Sequence, residues 1–235
     1  MQRVQASFKE TDRIQILPLD LSKPEECLKT VTEFAERAAP KIDLVVNNAG
    51  VTMREQFVNT DFSTVQMMLN TNCLSHIAVT KGLLPQMIKN RVEGARFVNI
   101  ISIAGMIGTG YRTIYSAAKF GTAGFFKALR PEIKQYGIGI TNIYPEFVKT
   151  NISKNAVLGS GQVFGKTDTN ILTGLSVDQA IEVIIKGTYL CLDEVIVGRP
   201  IFHIIPYLCF LSTTINNLVC KIAFEKSRES IEKAE

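Results

Sequence analysis

The sequence predicts an α/β protein built on a doubly wound parallel sheet. Short β-rich apolar runs alternate with helix-length segments between residues 13 and 197, and strands separated by helices pair in parallel through right-handed crossovers. Residues 42–46 (IDLVV) read as an apolar run of the kind a strand covered on both faces requires. The polar motifs follow the carboxyl ends of such runs, where doubly wound sheets hold their ligands.

In order, residues 13–19 (RIQILPL) read as a strand ending at Asp20. Pro24 then opens a helix to about residue 37, with Leu28, Val31, Phe34 and Ala35 on one face. After the strand at 42–46, a long helical region covers residues 63–89, and 96–101 (RFVNII) form another buried strand. Residues 114–136 are mostly helical, although Pro131 removes a bond there at a cost of ~3 kcal/mol. Residues 138–144 (IGITNIY) give a fourth strand, followed by loops up to 175. Ser176 caps a helix over 177–190, and 194–197 is a short last strand. Residues 1–200 thus form one domain, and 201–235 an apolar tail with a charged end.

The 235 residues suffice for one hydrophobic core. A net charge of +4 with lysines and arginines scattered among acids excludes a nucleic-acid stripe. Five widely spaced cysteines, without a CxxC pair or a Cys/His cluster, argue against a disulfide framework and against a metal site. The sequon Asn151-Ile152-Ser153 is a single, accidental-grade match.

Asp20 can accept from an adenine amino group, or simply make a turn and helix cap with Leu-Ser-Lys-Pro. Asn47-Asn48-Ala49-Gly50 leaves a buried strand with small residues that let backbone approach a flat ligand. A tight turn needs fewer such residues. Tyr115 and Lys119 lie at i and i+4 on one helical face. A phenol titrates near pH ~10, and a neighbouring ammonium lowers that value toward the working range. Such a pair alone arises by chance roughly 0.4 times in a chain of this composition, so its context decides. Ser102 ends a strand where a hydroxyl can bond a substrate oxygen, or shape a Ser/Gly turn. Asn72, in an apolar helical stretch, must pair with a water or a backbone carbonyl. His76 and His203 have no evident carboxylate or nucleophile partner and read as ordinary residues.

In order and spacing, NNAG, Asn72, NIISIAG, YSAAK and YPEFVKT resemble the short-chain dehydrogenase/reductase family, whose sheet is Rossmann-like. The stretches GFFKALRPEIKQYGI and FVKTNISKNAVLG are similar to its dehydrogenase/reductase member 7 group. The resemblance implies that Tyr115 is the acid–base, Lys119 binds the nicotinamide ribose, Ser102 orients substrate and Asn72 anchors a water. It also implies cofactor-side roles for Asp20, Asn47, Ala49, Gly50 and Thr150, with Asn47 linking strand ends and Thr150 bonding the carboxamide. Two departures accompany it. The family's glycine-rich phosphate loop, TGxxxGxG, is not in this sequence, which starts just before what corresponds to the third strand. Glu146 follows Pro145 where the family carries glycine, which sets a carboxylate near the nicotinamide.

The expected function is hydride transfer between NADP(H), or alternatively NAD, and a lipophilic carbonyl or alcohol of retinoid, steroid or lipid type. The alternative is a truncated or non-catalytic relative with impaired cofactor binding. The resemblance further implies a homodimer pairing the helices at 63–89 and 114–136, and association with the cytoplasmic face of the endoplasmic reticulum membrane, a cytoplasmic protein being the other reading. The tail at 201–224, interrupted by Pro206, Asn216-Asn217 and Lys221, does not read as a spanning helix. It either packs over the substrate cleft or dips Phe202, Tyr207 and Phe210 into a membrane interface.

Overall fold

A computed structural model describes residues 14–38, 42–90, 92–167 and 169–232. Helix α1 (Pro24–Ala38) starts at a proline whose fixed φ suits a first turn, carries Glu25 and Glu26 at its positive end, and buries Cys27, Val31 and Ala35. Then follow β1 (Leu44–Asn47), α2 (Phe62–Leu69), a π turn (Asn70–Leu74) and α3 (Ser75–Asn90). Strand β2 (Arg96–Ile100), α4 (Thr113–Lys134), β3 (Gly139–Pro145), α5 (Thr169–Leu172), α6 (Val177–Tyr189) and β4 (Glu194–Val197) complete the sheet region. The chain ends in α7 (Ile205–Leu211) and α8 (Thr213–Glu232).

The strands stand in the order β1-β2-β3-β4 and every pair is parallel. On one face Val45, Phe97 and Ile140 pack against Leu83 and Met87 of α3 and Phe126, Leu129 and Ile133 of α4. On the other, Val98, Ile143, Val195 and Val197 meet Ala180 of α6. The register puts Asn47, Asn99, Asn142 and Glu194 side by side. Their side chains bond in a row, Asn47 to Asn99 at 2.9 Å, Asn99 to Asn142 at 3.0 Å and Asn142 to Glu194 at 3.2 Å. A buried amide is tolerated only when paired, so this ladder fixes the register across the sheet, running from the carboxyl ends of β1 and β2 through the middle of β3 to the first residue of β4.

Three expectations change. Residues 14–19 form no strand; Arg13 lies outside the described residues. A strand exists by pairing, and among the described residues β1 is bonded to β2 alone. The helix expected over 63–89 is broken by the π turn. The tail folds as two helices, because Ser212 is extended (φ −142°, ψ 115°). Pro206 sits in the first turn of α7, where no bond is lost, and α8 runs through Asn216-Asn217. The capping box at Ser176 and Gln179 starts α6 where expected, and α4 absorbs Pro131 on an exposed face. Among the described residues no helix is long and apolar enough to cross a membrane.

Candidate active site

The carboxyl ends of β1, β2 and β3 open into a cleft of about 1180 Å³. Gly50, Asn72, Ser102, Tyr115, Lys119 and Thr150 all line it. The π turn puts Asn72 there: its i→i+5 bonding loosens the helical ladder, and Asn72 Nδ2 donates to Met68 O at 3.0 Å. Asn72 Oδ1 accepts from Val51 N at 3.0 Å, while the Asn72 carbonyl accepts from Thr122 Oγ1 of α4 at 2.9 Å. The expected backbone pairing of this buried asparagine is therefore present. A Cβ on Gly50 would stand 2.7 Å from Asn72 Oδ1. Only glycine lets this wall close up.

Ser102 leaves β2, caps the following turn by accepting from Ala104 N at 3.1 Å, and hydrogen-bonds the Tyr115 phenol. Tyr115 and Lys119 are both buried on α4, one turn apart. Lys119 Nζ donates to Ile100 O at 3.1 Å and stands 5.7 Å from the Tyr115 ring centre. Burial pushes the phenol's pKa up, against the opposing bond from Ser102 and the positive charges of Arg112 and Arg54. This corrects the expectation that Lys119 lowers it: the cations biasing the phenol are the two arginines, and desolvation outweighs them. The same burial lowers Lys119 to about 8.

A model of the short chain dehydrogenase family matches residues 1–160. The chain belongs to that family. Short-chain dehydrogenases of this kind are NAD(P)-dependent oxidoreductases. Relatives include dehydrogenase/reductase SDR family member 7B of Xenopus laevis, 31% identical over 91% of this chain and 68% of the relative. The Xenopus tropicalis member 7B is 34% identical over 83% and 62%. The chain spans about half to two thirds of the length of the curated relatives it matches. Among solved structures, a Burkholderia cenocepacia short chain dehydrogenase in complex with NADP superposes with a TM-score of 0.69, covering 87% of this chain and 77% of that one at 17% identity.

Of the residues the family resemblance singled out, Asn47 and Asp20 do not reach the cleft. Asn47 joins strand ends through the amide ladder, as expected. Asp20 is exposed and its carboxylate accepts from Ser22 N and Oγ at 3.0 and 2.7 Å, which is the turn reading. Ala49 lines the cleft and its carbonyl accepts from His76 Nε2 at 2.9 Å. Glu146, where the resemblance leads one to expect glycine, lines the cleft and is bound by Arg199.

Sequence reasoning missed three residues. His76 holds the loop at Ala49 and is buried and neutral, its pKa lowered to about 4 by burial and the Lys119 charge. Arg54 and Arg112 are buried in the cleft wall, Arg54 donating to Met53 O at 2.7 Å and Arg112 stacking over Phe147. A histidine inside a helix and arginines in loops carry no local signal; only chain folding brings them to Tyr115.

Proposed function

We propose that the protein carrying this chain is an NADP(H)-dependent oxidoreductase acting on a lipophilic carbonyl or alcohol, with Tyr115 as the acid–base. The observation that carries the reading is the cluster of Ser102, Tyr115, Lys119 and Asn72 on one wall of a cleft. Gly50, whose missing Cβ leaves room beside Asn72 and Lys119, and Thr150 fit the nicotinamide and its ribose. The NADP held by the Burkholderia relative supports that cofactor. Once bound, the dinucleotide supplies or accepts the hydride.

In the reductive direction Tyr115 donates its proton to the carbonyl oxygen, which Ser102 also holds. Arg54 and Arg112 stabilise the phenolate left behind. Lys119, near neutrality in pKa, keeps a proton at the cleft floor beside Asn72. Ile103, Ile107, Phe147, Ile171, Phe202 and Ile222 give the rest of the cleft an apolar lining suited to a retinoid, steroid or lipid chain. In the longest form of the protein, Tyr115→Phe should lower kcat by about 10²–10⁴ without moving KM much. Unchanged turnover would sink Tyr115 as the acid–base.

The reading extends to a homodimer through the π turn and α4, where Leu74 and Phe120 are each 45% exposed. A single monomer species in sedimentation at micromolar concentration refutes it. It also extends to a membrane contact, of the kind the resemblance places at the endoplasmic reticulum. Tyr207, Phe210 and Leu211 are 58%, 90% and 79% exposed on the outside of α7, whereas Phe202 belongs to the cleft. Flotation of the chain with vesicles, compared with a form ending at Arg199, checks this; two soluble forms overturn it.

A further inference from the structure

Glu146 is a carboxylate whose side chain is 1% exposed. Taking such a group out of water is costly unless it is paired and hydrogen-bonded. Among the described residues its side-chain partners are all on Arg199. Arg199 N donates to Oε1 at 3.1 Å, and Arg199 Nε donates to Oε1 and Oε2 at 3.1 and 3.2 Å. Glu146 N extends the β3–β4 ladder by donating to Val197 O at 2.9 Å. The residue between, Gly198, has no space for a Cβ, which would lie 2.9 Å from Glu146 Cγ. The glutamate, the glycine and the arginine therefore fit together as one joint.

That joint stands where the sheet ends and the C-terminal helices begin. Arg199 leads directly into Pro200 and lies over the Phe202 ring. The far end of the same segment is held separately: Phe224 of α8 stacks on Tyr111 with ring centres 5.3 Å apart and occupies the space a Gly110 side chain would need. Between the two anchors the segment supplies Phe202, Val219 and Ile222 to the cleft.

We propose that Glu146 is a positioning residue that fastens the root of a cap formed by α7 and α8, and so sets the width of the lipophilic part of the cleft. Its side-chain hydrogen bonds run to Arg199, and it acts through that residue. The effect on substrate choice rests on the oxidoreductase reading, whereas the fastening of the cap does not.

The test uses Glu146→Gly, Glu146→Gln, Arg199→Ala and Phe224→Ala in the full chain. Hydrogen exchange followed by peptide mass spectrometry reads the cap directly. Hydrogen bonds to a charged group are among the stronger ones, less so where one partner is half-exposed. Glu146→Gly and Arg199→Ala should therefore speed exchange over residues 199–211 by at least about tenfold, with α4 unchanged. Glu146→Gln, which still accepts from Arg199 N, should have a smaller effect. Phe224→Ala should speed exchange in the second half of α8 and not at the root. In turnover, the kcat/KM ratio for a long-chain methyl ketone over acetone should fall in Glu146→Gly. If Glu146→Gly does not fold, Arg199→Ala carries the same comparison with β3 intact. Unchanged exchange at 199–211 in folded Arg199→Ala overturns the proposal. Faster exchange without turnover of any carbonyl by the longest form of the protein leaves the cap assignment standing and counts against the lipophilic-carbonyl reading instead.

Discussion

His76 makes the stability of this fold depend on pH in a calculable way. It is 2% exposed, and its Nε2–H donates to Ala49 O at 2.9 Å. Burial, then the Lys119 ammonium, lower its pKa to about 4, with the Ala49 bond opposing. At pH 7 the imidazole is neutral folded or unfolded and adds no pH-linked term. As pH falls through about 6.5, the unfolded chain binds a proton that the folded chain refuses, so stability drops until the folded histidine also titrates near 4. At 1.36 kcal/mol per pKa unit the full loss is about 3 kcal/mol, and about 2 kcal/mol is gone by pH 5. That is a large share of a typical domain's stability. His76→Gln keeps an amide able to donate to Ala49 O and removes the titration. Urea unfolding of both proteins at pH 7 and pH 5 gives the comparison, in which carboxylates common to the two cancel. The native chain should lose about 2 kcal/mol more than the variant. Equal losses, or a His76 imidazole titrating near its ordinary value in NMR, would refute the reasoning.

Lys119 should be costly to the fold. Its charged form is penalised by burial below its lowered pKa of about 8, and the penalty is relieved as pH rises toward the unfolded value. Lys119→Met should therefore raise stability by up to about 3 kcal/mol at pH 7, lose that advantage near pH 10 and abolish turnover; a variant less stable than the native chain at pH 7 contradicts this. Gly50→Ala places a Cβ against Asn72 Oδ1 and should cost roughly 1–3 kcal/mol of stability while weakening NADPH binding, read by nicotinamide fluorescence. Native stability and binding in that variant would show that the wall gives way freely.

The strand and helix order was legible from the alternation of apolar runs, because each run is its own record of period and burial. Residues 194–197 and the Ser176 capping box fall where local chemistry places them. Tyr115 and Lys119 share one helical face as their i,i+4 spacing predicts, whereas Ser102 and Asn72 come to the same cleft from other elements. Other features depend on contacts distant in sequence, and only the tertiary structure decided them. Residues 14–19 have strand composition but pair with no strand among the described residues, and Asn70–Leu74 turns π inside a segment of helical pattern. The Tyr115 phenol is biased by Arg54 and Arg112 and shifted upward by burial, a balance set by desolvation that no i,i+4 spacing encodes. Glu146 read as a carboxylate set near the nicotinamide; that it is bound by Arg199, 53 residues away, is a contact that only folding supplied.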